Sequence, residues 1–177
     1  DGVFSALIGE GATLGQDLAK NEGIKAIGFT GSFRAGMALY KTAANDRKTP
    51  IPVYAEMSSI NPVLLFPGKL KENPVALAQQ MAGSITLGVG QFCTNPGLLF
   101  LLKDEHSETY IAALKAALEV VPAGVMLNKT ICASYYRDRL RISEAEGVAV
   151  LFEGTDESGN HKGSAGLLQV SAKSFMG

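Results

Sequence analysis

Over residues 3–55, short apolar runs alternate with stretches of helical period, and no hairpin turn joins one run to the next. That alternation allows few folds. Strands separated by helices cannot pair as hairpins; they line up in parallel and the helices cross over the sheet. Residues 3–8 read as a short buried strand, apolar, with β-branched residues at both ends and glycine on either side. Residues 24–29 and 51–55 read as the second and third strands. A glycine-rich stretch, residues 9–15, leads into a first helix over residues 16–21, with Leu14 and Leu18 four apart on one face. Residues 33–45 form the second helix, with Ser32 placed to cap it. In a parallel sheet of this kind, ligands bind beyond the carboxyl ends of the strands.

From residue 57 onward the pattern stays α/β but loses its regularity. Strands are expected over residues 61–66, 98–102, 148–152 and 166–170, and helices over 74–87, 105–121 and 130–146. Asn73-Pro74 places a cap and a first-turn proline at one helix start. Ile111, Leu114 and Leu118 mark an inner helix face. With 46% apolar and 19% charged residues, the chain can bury a real core. A formal net charge of -1 offers no basic field for nucleic acid and no polybasic face for a membrane. No apolar run is long enough to span a bilayer, and the first residues do not read as a signal peptide. The two cysteines make no disulfide framework and are read as reduced thiols, which places the protein in the cytoplasm. His106 and His161 have no partner at metal-ligand spacing, so no metal site is expected.

Three places carry chemistry. Gly9-x-Gly11-x-x-x-Gly15 puts glycines between a strand and a helix start, where backbone N–H groups can meet a phosphate. The spacing is not that of the usual dinucleotide loop, and a turn that merely needs glycine is the alternative. Thr30-Gly31-Ser32 offers a second such spot. Glu56 follows an apolar strand, where partial desolvation would suit a general base; a plain surface glutamate is the other reading. Cys93, in Gly90-Gln91-Phe92-Cys93-Thr94-Asn95, has polar neighbours where an inert core cysteine would have apolar ones. Gly88 and Gly90 are expected to let the backbone approach a substrate closely. Cys132, beside Ile131 and Ala133, reads as structural.

Taken together these residues resemble the NAD(P)-dependent aldehyde dehydrogenase family. Gly9-x-Gly11-x-x-x-Gly15 is similar to its cofactor-phosphate loop, Phe29-Thr30-Gly31-Ser32 with Gly36 to its Phe-Thr-Gly-Ser motif, Ala55-Glu56-Met57 to its glutamate motif, and Gly90-Gln91-Phe92-Cys93 to its cysteine motif. Two departures stand out. Ser58-Ser59-Ile60 replaces the usual Gly-Gly-Lys, and Thr94-Asn95-Pro96-Gly97 follows the cysteine. These variants resemble the branch acting on α-ketoglutaric semialdehyde. The resemblance implies an aldehyde dehydrogenase-like α/β fold: the C-terminal half of a Rossmann-type cofactor domain (residues 1–56), then part of the α/β catalytic domain (57–177). It implies Cys93 as nucleophile, Glu56 as base, and Gly11, Gly15, Gly31, Ser32, Gly36 and Met57 on the side of NAD or NADP. It further implies a small aldehyde as substrate and a homo-oligomer as the full-length form. Family elements that the resemblance puts before Asp1 and after Gly177 make the chain a central piece of a longer enzyme, inactive by itself. A cysteine hydrolase is the competing chemistry, but it needs a histidine base, and neither histidine sits in a motif.

Overall fold

A computed structural model describes residues 2–177, which divide into two compact units. The first extends to Ser59 and the second runs from Ile60 to Gly177.

In the first unit, α1 (Gly11–Lys20), β1 (Ile27–Gly31), α2 (Phe33–Asn45) and β2 (Val53–Met57) follow in order. β1 and β2 pair in parallel, from Ile27 opposite Val53 to Gly31 opposite Met57. The helices meet through small residues. Ala19 and Ala43 are buried, and the Thr42 hydroxyl donates to Gln16 Oε1 at 2.6 Å. Arg47, just past α2, fixes the link between α1 and β1. Its buried guanidinium donates to the carbonyls of Ala19 (2.6 Å), Asn21 (2.7 Å), Ile24 (3.0 Å) and Thr49 (3.1 Å). An irregular link leaves such carbonyls without ladder partners, and a rigid planar fork of donors can serve several at once.

The expected strand at residues 3–8 does not form. Those residues join no ladder and lie open, with Val3 100% and Ile8 102% exposed. A strand is stable only when an edge pairs with it, and apolar composition alone supplies none. The second expected strand starts three residues and ends two residues later than its pattern, at Ile27–Gly31, and β2 extends to Met57.

The second unit holds β3 (Pro62–Leu65), α3 (Pro67–Glu72), α4 (Pro74–Thr86), β4 (Leu98–Leu101), α5 (Glu105–Glu119), β5 (Gly124–Val125), α6 (Lys129–Ser143), β6 (Val148–Glu153), β7 (Lys162–Gly163), β8 (Gly166–Val170) and α7 (Ala172–Met176). β3 and β4 pair in parallel, while β5–β7 and β6–β8 are antiparallel. Helix starts follow their caps. Asn73 accepts from Ala76 N with Pro74 behind it, Asp104 and Ser107 form a reciprocal capping box, and Asn128 accepts from Ile131 N. Pro67 opens α3, because proline suits a first helical position. The core gathers Leu65, Leu70, Ala78, Ala82, Tyr110, Leu114 and Leu118. Ile111 packs against it from the side. Cys132 is buried, its thiol 3.6 Å from the Lys162 carbonyl, which suits a structural cysteine.

Tyr110 is the one costly member of that core. Its side chain is buried, and its hydroxyl finds no hydrogen-bond partner among the described residues. Burial pushes the phenol up to about 12. The unfolded phenol ionises near 10.0, so between those values the unfolded chain holds fewer protons and stability falls as pH rises. Tyr110→Phe is expected to hold or raise stability at neutral pH, by up to ~1 kcal/mol, since it removes an unmatched polar group. The gap should widen above pH 10 in urea titrations. A clear loss of stability at pH 7 would show that the hydroxyl is matched.

Candidate active site

The first unit gathers its candidate residues at the carboxyl ends of two parallel strands. Thr30 lies opposite Glu56, and Gly31 opposite Met57. Sequence-distant motifs are therefore neighbours by register alone. Ser32 follows in extended backbone and caps α2, its hydroxyl accepting from Ala35 N at 3.3 Å. Ser58 caps the same helix from outside. Its hydroxyl accepts from Phe33 N at 3.1 Å, and its own N–H donates to Gly31 O at 2.9 Å. Gly36, buried in the first turns of α2, lies under the Met57 thioether; a Cβ there would overlap it. Gly31, Ser32, Gly36, Glu56 and Met57 thus come together.

Gly11 and Gly15 sit differently from expectation. They do not belong to a loop: both are helical residues of α1, and of the stretch 9–15 just Gly9 and Glu10 lie ahead of the helix. The helix starts earlier than its apolar period because Leu14 already belongs to its first turns. Glu10 makes no side-chain cap, so the first N–H groups of α1 have none of the side-chain acceptors that serve α2. The space at Gly11 is open, whereas Gly15 faces Leu39 of α2 at ordinary contact distance.

Glu56 also departs from expectation. It lies within β2, not after it, and it is exposed. Strand alternation decides this: Val53, Ala55 and Met57 are half-buried on one face, while Tyr54 and Glu56 share the open one. The desolvation anticipated from a buried strand end is absent from this unit.

Cys93 belongs to the second unit, in a turn between α4 and β4, and it is exposed. The chain enters that turn through three consecutive left-handed residues: Gly88 (φ 57°), Val89 (φ 60°) and Gly90 (φ 69°). Gly88 needs to be glycine twice over, for its φ and because a Cβ would strike the Phe92 ring at 2.5 Å. A β-branched residue at φ 60° is strained by roughly 1–3 kcal/mol. Val89 is held there by packing, its side chain lodged against Gly124 and Gly163 of the β5–β7 pair. These glycines thus shape the backbone of the turn rather than simply opening it.

Side chains then fix the turn. Asn95 N donates to Phe92 O at 3.0 Å, and its side chain donates to Ile85 O near the end of α4 at 2.6 Å. Gln91 donates to Gly88 O and accepts from Leu127 N at 2.9 Å. Asn61, at the start of the unit, donates to Cys93 O at 2.7 Å and to Asn95 O at 2.8 Å. Reasoning from the residues passed over Ser58 and Asn61 as working groups. A weak signal was present: Asn-Pro occurs at Asn61-Pro62, Asn73-Pro74 and Asn95-Pro96, and such pairs mark turns or, as at Asn73, helix starts.

Two open hollows, of about 340 and 550 Å³, lie along α6 and the β6–β8 pair and are not lined by Cys93. Arg139 fills the ground between them, over the rings of Tyr135 and Tyr136, with Glu153 at 3.1 Å. His106 stands 3.6 Å from Glu105, and His161 is exposed. Among the described residues no group of three or more His, Cys, Asp or Glu could hold a metal, and no helix is long and apolar enough to cross a membrane.

This arrangement, a parallel strand–helix–strand unit followed by an α/β unit with a pinned cysteine turn, is the fold of part of an aldehyde dehydrogenase. A solved lactaldehyde dehydrogenase superposes with a TM-score of 0.77 at 22% identity, covering 93% of this chain and 36% of its own. An NAD-dependent benzaldehyde dehydrogenase from Corynebacterium glutamicum gives 0.74 at 20% identity, covering 90% and 35%. The chain belongs to the aldehyde dehydrogenase family, whose profile matches residues 1–163. Alpha-ketoglutaric semialdehyde dehydrogenase 2 of Azospirillum brasilense is 43% identical over 175 residues, which are 99% of this chain and 33% of that protein. The alpha-ketoglutaric semialdehyde dehydrogenase of Acinetobacter baylyi is 39% identical over 134 residues, 76% of this chain and 25% of its own. The chain therefore spans a quarter to a third of the length of these relatives.

Ser58 explains one departure from the family pattern. Its φ of 59° is a region that favours glycine. The serine keeps that conformation and adds a hydrogen bond to the start of α2. Ser58→Ala should cost about 1 kcal/mol, because the strain stays and the bond goes. Ser58→Gly should come out near wild type, relief of strain offsetting the lost bond. Denaturant midpoints at unchanged slope would check both; equal losses in the two variants would contradict the account.

Proposed function

We propose that the intact protein oxidises an aldehyde to its carboxylate with NAD or NADP, and that the aldehyde is α-ketoglutaric semialdehyde. In this reading the first unit is part of the dinucleotide-binding domain and the second is part of the catalytic domain. The observation that carries it is the register of β1 and β2, which gathers Gly31, Ser32, Glu56 and Met57 at one strand end. The names of the two relatives support the substrate.

The first unit fits a dinucleotide. The uncapped start of α1 and the open space at Gly11 suit a phosphate, and Gly15 lets α1 lie close to α2. Gly31, Ser32 and Gly36 shape the start of α2, and the Met57 backbone lies beside them to meet the nicotinamide end. When bound, the dinucleotide supplies a hydride acceptor. The protein's own residues do the rest. The Cys93 thiolate attacks the aldehyde carbon and forms a thiohemiacetal, whose oxyanion the Cys93 N–H holds. Loss of hydride leaves a thioester on Cys93. Glu56, on the open face of β2, takes a proton from water, which attacks the thioester; carboxylate leaves and the thiol is restored. Exposed apolar residues such as Val3 and Leu127 favour further burial in the intact protein, in keeping with a homo-oligomer.

Cys93→Ser in the intact protein should abolish aldehyde oxidation, by at least about 1,000-fold, with cofactor affinity nearly unchanged. Turnover retained in that variant excludes the nucleophile assignment. Glu56→Gln should slow thioester hydrolysis by about 100-fold while leaving the pre-steady-state burst of reduced cofactor in place. A lost burst with normal hydrolysis would reverse the role. A panel of semialdehydes, each with NAD and NADP, would test the substrate.

A further inference from the structure

The geometry points to Asn61 as a positioning residue that sets the direction of the nucleophile. The inference rests on Cys93 being that nucleophile. The turn that carries Cys93 has no ladder of its own, so the orientation of its peptides depends on whatever side chains reach its carbonyls. Asn61 reaches two. One amide nitrogen donates to Cys93 O at 2.7 Å and to Asn95 O at 2.8 Å, so both N–H groups of the side chain are committed. The first bond fixes the peptide that leaves Cys93. The second fixes the far side of the turn, two residues on.

The backbone around Asn61 is shaped for this. Asn61 itself is left-handed at φ 46°, a conformation that asparagine tolerates better than most residues with a Cβ. Its neighbour Ile60 accepts from Gly97 N at 2.8 Å, so main chain joins main chain just beyond the turn. Pro62 then begins β3, which pairs with β4 from Leu98 onward. The segment before β3 and the segment before β4 are thus laced together at one end of their ladder, and Asn61 carries the lacing back to Cys93. Asn95 holds the turn from the other side through Ile85 O at 2.6 Å. A displacement of about 1 Å at a reacting atom can cost roughly 100-fold in rate. Asn61 therefore acts through Cys93, without touching substrate.

Two substitutions separate the amide from the backbone. Asn61→Gly keeps the left-handed φ and removes both donors. Asn61→Asp keeps size and shape but turns an acceptor toward two carbonyls. In the intact protein, both are expected to lower kcat by about 10–100-fold with KM for aldehyde and for cofactor within about threefold. Deuterium exchange of the peptide containing residues 91–95 should rise in both, with the thermal midpoint of Asn61→Gly close to wild type. If Asn61→Asp fails to fold, Asn61→Gly alone decides. A kcat within about twofold of wild type in Asn61→Gly, or a rise in KM with kcat kept, would overturn the role. If wild type oxidises no aldehyde, the proposed function fails instead, and the exchange measurement still tests the clamp.

Discussion

A backbone carbonyl that leaves a ladder must still find a donor, and the shape of this chain near its candidate site follows from how that demand is met. Three irregular segments matter. Where α1 runs on toward β1, the guanidinium of Arg47 serves the carbonyls of Ala19, Asn21 and Ile24, and it serves that of Thr49 after α2. At the start of α2, where the orphans are N–H groups, the hydroxyls of Ser32 and Ser58 accept. Around Cys93, the amides of Asn61, Asn95 and Gln91 do the work. Each solution is chosen by chemistry. A cationic fork suits several carbonyls in one place, a hydroxyl suits a single amide, and a carboxamide can donate with one end and accept with the other, as Gln91 does.

These fixed segments matter because the proposed chemistry lies on them. Parallel strands deliver their carboxyl ends to one side, and β1 and β2 do so in register. The strands themselves contribute little chemistry. What they contribute is rigidity beneath short connections that would otherwise have many conformations. The same holds around Cys93. Three left-handed residues redirect the chain after α4, Val89 is held in a strained conformation by packing against two glycines, and only then does the thiol appear. Strain of this sort persists when surrounding contacts over-determine it, as the β5–β7 pair does here.

Where local rules dominate, the sequence was legible. Asn73-Pro74 announces α4, Ser32 announces α2, and Gly166–Val170 reads as the strand it is. Where a partner decides, it was not. Residues 3–8 have strand composition but no ladder, and Glu56 looked desolvated until alternation along β2 placed it on the open face. Gly11 and Gly15 looked like a loop because glycine is common there, yet the carbonyl of Glu10 already accepts from Leu14 N and makes them helix. Asn61 was the hardest to see. Its partners lie more than thirty positions away, and nothing local distinguishes a clamping asparagine from one that merely precedes a proline.

The departures from the family pattern reward the closest physical reading. The motif that usually continues Gly-Gly-Lys reads Ser58-Ser59-Ile60 here, and the first of these holds a φ of 59°. A glycine in that place would be explained by conformation alone. A serine requires a return on its strain, and the hydrogen bond to Phe33 N is that return. Ile60 makes a similar case in a different currency: its carbonyl accepts from Gly97 N, and its side chain packs on Gly97 so closely that a Cβ there would meet it at 3.2 Å. The end of the glutamate motif and the residues after the cysteine thus touch, through Ile60 and Gly97. Asn61 and Asn95 extend the same contact toward Cys93. In this chain the two departures meet in one structural feature, a main-chain and side-chain contact that Asn61 continues to the carbonyl of Cys93.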